Sequence, residues 1–277
     1  MSTRAAAAGL ARRLLSPGTL DRLRRTAVRL RVAIARPRIE LAAVERNAAP
    51  SPYPFHASTS NPLAELGEKY APTKRLHNYL VHYWTHFRDI RLDVRKVVEI
   101  GVQSDRSIRM WEEFFPNATI YGVDVDPRCK QYEGGRRRIF IGDQSDASFW
   151  SRVIGEVGAD FDVVIDDGSH RVEHQIRSFN ILFPALSRHG IYVVEDTGPV
   201  VEDADLRTVN ELKGLVDHIM HWPDGVRPED WPKVDTFGEG AAWADRNIVG
   251  IAFYRWIVFV MRGRNPEDNP FLARPSA

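Results

Sequence analysis

The chain has 277 residues, 43% hydrophobic and 27% charged, with 38 Lys+Arg against 37 Asp+Glu. That length and balance can fill a core, which excludes global disorder. A single cysteine, Cys129, excludes a disulfide framework and a cysteine-built zinc or iron–sulfur centre, and no apolar run reaches the roughly 18 to 20 residues of a membrane-spanning helix.

The near-neutral total conceals two unlike parts. Residues 1–50 carry 11 arginines, no lysine and three acids (Asp21, Glu40, Glu45), a net of +8, and the remainder carries −7. Within this basic arm, 19–35 reads as an amphipathic helix. Leu20, Leu23, Ala27, Leu30 and Ile34 fall at helical spacing with arginines between them. Three uses stay open: an Arg-rich transit peptide, contact with an anionic membrane or nucleic acid, or packing on a partner subunit. Residues 48–62, containing Pro50, Pro52, Pro54 and Pro62, read as an extended linker.

Further on the pattern becomes strand–helix alternation. Short β-branched runs occupy 96–100, 120–124, 138–141, 162–166 and 191–194, with amphipathic stretches at 106–115, 147–157 and 172–186. This predicts an α/β fold, a Rossmann-like and mostly parallel sheet covered on both faces. Two last apolar runs, 248–253 and 256–261, are two residues apart. That spacing demands a hairpin, so the sheet ends in a C-terminal antiparallel edge. Between the fifth run and the hairpin, 221–246 carries Trp222, Trp231 and Trp243 among prolines and glycines. It reads either as a lid over a site or as surface packing.

Ligands of such a sheet bind outside the carboxyl ends of its strands, so the residues after each run carry the chemistry. The first turn, Glu99-Ile-Gly101-Val-Gln-Ser, lacks the G-x-G-x-x-G cradle for a pyrophosphate. A hydride-transferring dinucleotide enzyme is therefore disfavoured, whereas a nucleoside ligand without phosphates fits. Asp124 ends the second run, where an acid takes ribose hydroxyls. Gly142-Asp143-Gln144-Ser145-Asp146, Asp166-Asp167-Gly168-Ser169-His170 and Glu195-Asp196 follow the third, fourth and fifth. If the last two runs pair, Asp167, Glu195 and Asp196 converge, and their mutual repulsion requires a cation. Oxygen ligands alone suit Mg²⁺ rather than zinc, and His170 supplies a base near neutrality. His170-Arg-Val-Glu173-His174 also matches the inverted zinc-peptidase signature. With His170 in the strand-to-helix turn, both histidines cannot share a helical face, and His174 reads as a helix-surface residue.

Taken together, V-V-E-I-G, S-I-R-M-W, G-V-D, G-D-Q-S-D, I-D-D-G-S-H and V-E-D resemble the class I S-adenosylmethionine-dependent methyltransferases. More narrowly, they resemble the Mg²⁺-dependent sugar O-methyltransferases of the mycinamicin and macrocin type and actinobacterial mannoside polysaccharide O-methyltransferases. The resemblance covers roughly residues 66–261, so 1–62 reads as arm and linker and 63–277 as the methyltransferase domain. It implies two cofactors, S-adenosylmethionine and Mg²⁺. Glu99 and Gly101 would border the methionine part, with Ser107 nearby, and Asp124 would hold the ribose. Asp143 and Gln144 would flank the adenine, and Asp166 would lie near the amino acid end. Asp167, Glu195 and Asp196 would ligate Mg²⁺, and His170 would be the general base. Two departures stand out. Ala71-Pro72-Thr73-Lys74 replaces a G-T-D-K stretch, although His77 and Tyr79 match, and Thr197-Gly198-Pro199 replaces an aromatic stretch. The expectation is a cytoplasmic bacterial enzyme, homo-oligomeric, with a sugar or oligosaccharide acceptor and no nucleic-acid partner; membrane-surface contact is left to the basic arm. A catechol-type O-methyltransferase and a catalytically silent nucleoside-binding scaffold are the alternatives.

Overall fold

The computed structural model describes residues 61–198, 207–219 and 247–263. The arm helix, the linker up to residue 60 and the Trp-rich stretch 221–246 lie outside the described residues. Among the described residues no helix is long and apolar enough to cross a membrane.

Among the described residues three helices precede the sheet: α1 (Pro62–Tyr70), α2 (Thr73–Leu76) and α3 (Tyr79–Phe87). Asn61 caps α1, its side chain accepting from Leu63 N at 2.9 Å, and Pro62 takes the first position, where no N–H is needed. Then β1 (Lys96–Ile100), α4 (Asp105–Phe114), β2 (Thr119–Asp124), β3 (Arg137–Ile141), α5 (Ala147–Val157), β4 (Phe161–Asp166), α6 (Val172–Leu182) and β5 (Leu186–Val194) alternate. Helix α7 (Arg207–Ile219) and the hairpin β6 (Ile248–Tyr254) and β7 (Ile257–Arg262) complete the described chain.

The sheet order is β3-β2-β1-β4-β5-β7-β6. The first five strands are parallel, and β7 runs antiparallel to both β5 and β6. The predicted mostly parallel sheet with an antiparallel edge is what forms. Alternation along the strands divides the core into two layers. Val97, Val163, Ile165 and Phe259 pack with Tyr83 and Phe87 of α3 and Trp111 and Phe114 of α4. Val98, Val164, Tyr192 and Val258 pack with Trp150 of α5, Phe179 and Leu182 of α6, and Leu212 of α7. Two boundaries differ by more than a residue: the fifth strand, expected at 191–194, begins at Leu186, and the helix expected over 172–186 is shorter. It stops at Leu182, and Phe183–Ala185 forms a 3₁₀ turn around Pro184. Proline has no N–H to continue the α-helical ladder and clashes with the preceding turn.

Candidate active site

The strand order reverses between β1 and β4, and there a cavity of about 800 Å³ opens at the carboxyl edge. That size accommodates a nucleoside-sized ligand. Gly101, Gln103 and Ser107 follow β1 into its wall, with Asp124 from β2, Asp143 and Gln144 from the turn after β3, and Asp167, His170 and Asp196 beyond β4 and β5. Pro72, Thr73 and His77 line it from α2 and the residues around it.

Gly101 holds φ +93°, and a Cβ there would stand 2.7 Å from the carbonyl carbon of Asp167. The glycine thus lets the turn after β4 lie against the end of β1. The backbone ladder continues past the strands: Asp167 N donates to Ile100 O at 3.0 Å and Glu195 N to Asp166 O at 2.9 Å. Asp124 ties two turns together. Its Oδ2 accepts from Val102 N (2.9 Å) and Gln103 N (2.8 Å), and Oδ1 accepts from Asp126 N (2.9 Å). With two lone pairs per oxygen, these three amides fill Oδ2 and leave one site on Oδ1, and the Cys129 thiol also bonds this carboxylate. Asp143 is exposed at the rim, its Oδ1 accepting from the amide and hydroxyl of Ser145, which holds its carboxyl below the usual range.

Lys74 lies in the acidic centre. Its fully buried Nζ contacts Asp167 Oδ2 at 2.5 Å, Glu195 Oε1 at 2.7 Å and Glu99 Oε1 at 3.0 Å. Burial opposes its charge, but Asp167, Glu195 and Glu99 more than reverse this and hold the ammonium well above the ordinary lysine range. Glu195 is driven upward by burial and by Asp167, against the pull of Lys74 and Tyr83. Tyr83 donates to Glu195 Oε1 at 2.5 Å, and Gln175 of α6 donates to the Glu195 backbone carbonyl at 2.9 Å.

Asp196 faces the cavity instead. Its Oδ1 accepts from Tyr79 at 2.6 Å and lies 3.5 Å from His77 Nδ1, and its Oδ2 lies 3.6 Å from His170 Nε2. Both Asp196 (φ 51°) and His170 (φ 56°) hold left-handed backbone, a cost that native structures tolerate mainly at functional edges. Among the described residues, Asp167, His170 and Asp196 offer three ligand atoms within 4.8 Å of one another. Two carboxylates in that set suit a hard divalent ion, and the imidazole is the poorest magnesium ligand of the three. Next to this group, the Trp256 indole packs on Gly198: a Cβ at 198 would be 2.9 Å from Trp256 Cγ. The Trp256 carbonyl accepts from Thr197 N at 3.0 Å.

No sequence-family model matches the chain. It is 37% identical over 224 residues to mycinamicin VI 2''-O-methyltransferase of Micromonospora griseorubida, a match covering 74% of this chain and 53% of that protein. Demethylmacrocin O-methyltransferase of Streptomyces fradiae is 34% identical over 224 residues, 74% of this chain and 54% of that one. Among solved structures, MycE methyltransferase from the mycinamycin biosynthetic pathway, in complex with Mg, SAH and mycinamycin VI, aligns with a TM-score of 0.61 at 35% identity. That alignment covers 74% of this chain and 56% of the MycE chain. Over 74% of its length the chain is thus similar to O-methyltransferases. The chain spans about half the length of the curated relatives it matches.

Several residues stand elsewhere than their motifs suggested. Glu99, expected beside the methionine part, is fully buried and does not line the cavity; it accepts from Ser107 Oγ (2.9 Å) and Trp111 Nε1 (3.0 Å) and forms an ion pair with Lys74. Asp166, expected at the amino acid end, is also fully buried, below the opposite face of the sheet, with Gln144 Nε2 at 3.1 Å and Tyr192 Oη at 3.3 Å; burial pushes its carboxyl up to about 6. Strand alternation sends these two side chains into the two core layers rather than out of the edge. Gln144 borders the cavity, but its carboxamide is committed to Asp166, to Ser178 and to the amide of Ser169, not presented to an adenine. Glu195 converges with Asp167 as expected, yet Lys74 and Tyr83 share its Oε1. His174 is no plain surface residue: it lines the cavity, with Nδ1 2.9 Å from Ser169 Oγ. Helix α6 starts at Val172, so the zinc-peptidase pairing of His170 with His174 on one helical face does not form. The residue the sequence reading missed is Lys74. Its signal was available, because a convergence of acids that demands a cation should prompt a search for a buried lysine as well as for a metal.

Proposed function

We propose that this chain transfers a methyl group from S-adenosylmethionine to a hydroxyl of a sugar, with Mg²⁺ as the required ion. One observation carries the proposal: a single cavity joins Asp124 at the β2 edge to the Asp167, His170 and Asp196 group at the β4–β5 edge. A nucleoside-binding acid and an ion-binding, proton-accepting group therefore share one space. The relatives named as O-methyltransferases and the neighbour solved with Mg and SAH support the same reading.

When bound, S-adenosylmethionine supplies an activated methyl on a sulfonium, and Mg²⁺ supplies positive charge for an acceptor oxygen losing its proton. The chain's own residues position and deprotonate. Asp124 would hold the ribose hydroxyls, Asp143 would border the adenine, and Gly101 and Ser107 would border the methionine part. Asp167 and Asp196 would hold the ion; Glu195, bound by Lys74, would enter its sphere only through the carboxylate oxygen that Lys74 does not hold. His170 takes the proton at Nε2, the ring nitrogen facing the cavity group; its Nδ1 is buried without a hydrogen-bond partner among the described residues. Holding acceptor, base and donor in one cavity accounts for most of the rate gain such a displacement needs. The acceptor is a natural-product deoxysugar or a mannoside chain.

The test is incubation of the purified protein with labelled donor, with Mg²⁺ or chelator, and a panel of deoxysugar glycosides, mannosides and catechols. Transfer to a sugar that stops in chelator and returns with Mg²⁺ is expected. Undiminished transfer in chelator would remove the ion from the mechanism, and transfer confined to catechols would replace the acceptor. His170→Ala should slow turnover by roughly 10² to 10⁴, and a rate near that of the wild type would reassign the base.

A further inference from the structure

The acidic centre already contains a cation. An ammonium has three donors and no acceptor, and the Lys74 ammonium meets three carboxylates, Glu99 Oε1, Asp167 Oδ2 and Glu195 Oε1. The contacts with Asp167 and Glu195 are hydrogen bonds, and the one with Glu99 is an ion pair. They also draw together the ends of β1, β4 and β5 from a one-turn helix that lies 93 residues before Asp167 and 121 before Glu195. Asp196 is not among the partners of Lys74; its own are Tyr79, His77 and His170. The acids therefore form two overlapping sets: Glu99, Glu195 and Asp167 around Lys74, and Asp167, His170 and Asp196 facing the cavity. Asp167 belongs to both.

We infer that Lys74 is a resident counter-cation, a positioning residue that sets how weakly the cavity group holds its divalent ion by sharing Asp167 with it. The inference rests on the ion-dependent reading proposed above. Two effects of Lys74 on Asp167 oppose each other. Fixing the carboxylate favours ion binding, whereas a full positive charge against one of its oxygens repels a second cation approaching the same group. The charge effect is the larger. The Asp167 backbone is already brought to the cavity by its bond to Ile100 and by the Gly101 approach, so Lys74 is not needed to place the residue there, while like charges sharing one carboxylate in a part-buried site interact strongly. Removing the ammonium should therefore tighten ion binding, and the ion should take over its role of holding the acids together.

The experiment measures Mn²⁺ binding to the full chain by paramagnetic resonance of the free ion, for the wild type, Lys74→Met and Lys74→Gln, with thermal melting followed in parallel. Both variants should bind Mn²⁺ at least about tenfold more tightly than the wild type. They should melt lower than the wild type without the ion and gain more from Mn²⁺ than the wild type does. Equal or weaker Mn²⁺ binding by natively folded variants overturns the inference. If a variant is unfolded without the ion, recovery of its circular dichroism with Mn²⁺ supports the inference, and no recovery at saturating Mn²⁺ overturns it. Tighter binding by the variants in a protein that methylates no acceptor would refute the proposed function and leave this inference standing; no Mn²⁺ binding by any form overturns both.

Discussion

Replacing Gly101 by alanine isolates what this glycine does. At φ +93° an L-residue is strained, and its Cβ would lie 2.7 Å from the Asp167 carbonyl carbon and 3.1 Å from Gly168 Cα. Every obstructing atom is backbone, so no side chain can rotate away. Backbone strain of about 1 to 2 kcal/mol added to an overpacking cost of about 1 to 2 kcal/mol gives a destabilisation of roughly 2 to 4 kcal/mol. Relief comes only by separating the turn after β4 from the end of β1, which displaces Asp167 from the cavity group. Urea unfolding is the assay. With a slope of roughly 2 kcal/mol/M, the midpoint should fall by about 1 to 2 M at unchanged slope. A midpoint indistinguishable from that of the wild type would refute the claim that Gly101 is required by close backbone approach.

Gly155 provides the contrast: it lies within α5 and a Cβ there meets nothing within 4 Å, so Gly155→Ala should raise stability by about 0.5 to 1 kcal/mol in the same titration. Asp124→Ala removes the acceptor of three backbone amides and the proposed ribose partner; SAH affinity measured by calorimetry should fall by roughly 10²-fold, about the worth of one to two hydrogen bonds to a charged group. His86 stacks on Phe259 at 4.3 Å, and burial, reinforced by His82, holds it down at about 4. Its depressed folded value means that its contribution is complete above the unfolded value near 6.5 and is lost as pH falls from there to about 4. The full linkage would be about 3 kcal/mol, and partial exposure reduces it to roughly 1 to 2 kcal/mol. Melting temperature should therefore drop less steeply over that interval in His86→Gln than in the wild type, and parallel slopes would show that His86 does not titrate there.

The parallel strands and the final hairpin were legible because each is a local signal: a β-branched run, its spacing from the next, and two residues between 253 and 256. The carboxyl edge was legible to the same depth, since Asp124, Asp167, His170 and Asp196 all reach the cavity. Side-chain direction at the last strand residue was harder to read. Glu99 shares a face with Val97 and Asp166 with Val164, and that parity, applied to the strand ends, would have placed both acids in the core. Lys74 carried no local signal, for a different reason. It lies far from its partners in sequence, and in Ala-Pro-Thr-Lys nothing local distinguishes a fully buried lysine from a solvated one. The helix end at Leu182 was within reach, because Pro184 marks it.

The contact between Gly198 and Trp256 makes two positions 58 residues apart mutually exclusive. A bulky ring can stand on the rim from the loop after β5 or from the tip of the hairpin, never from both. Grafting an aromatic loop from a relative onto this scaffold would therefore fail one residue at a time and succeed as an exchange. Gly198→Tyr and Trp256→Ser should each be harmful singly and should recover together, a sign-reversing coupling that a double-mutant cycle would resolve.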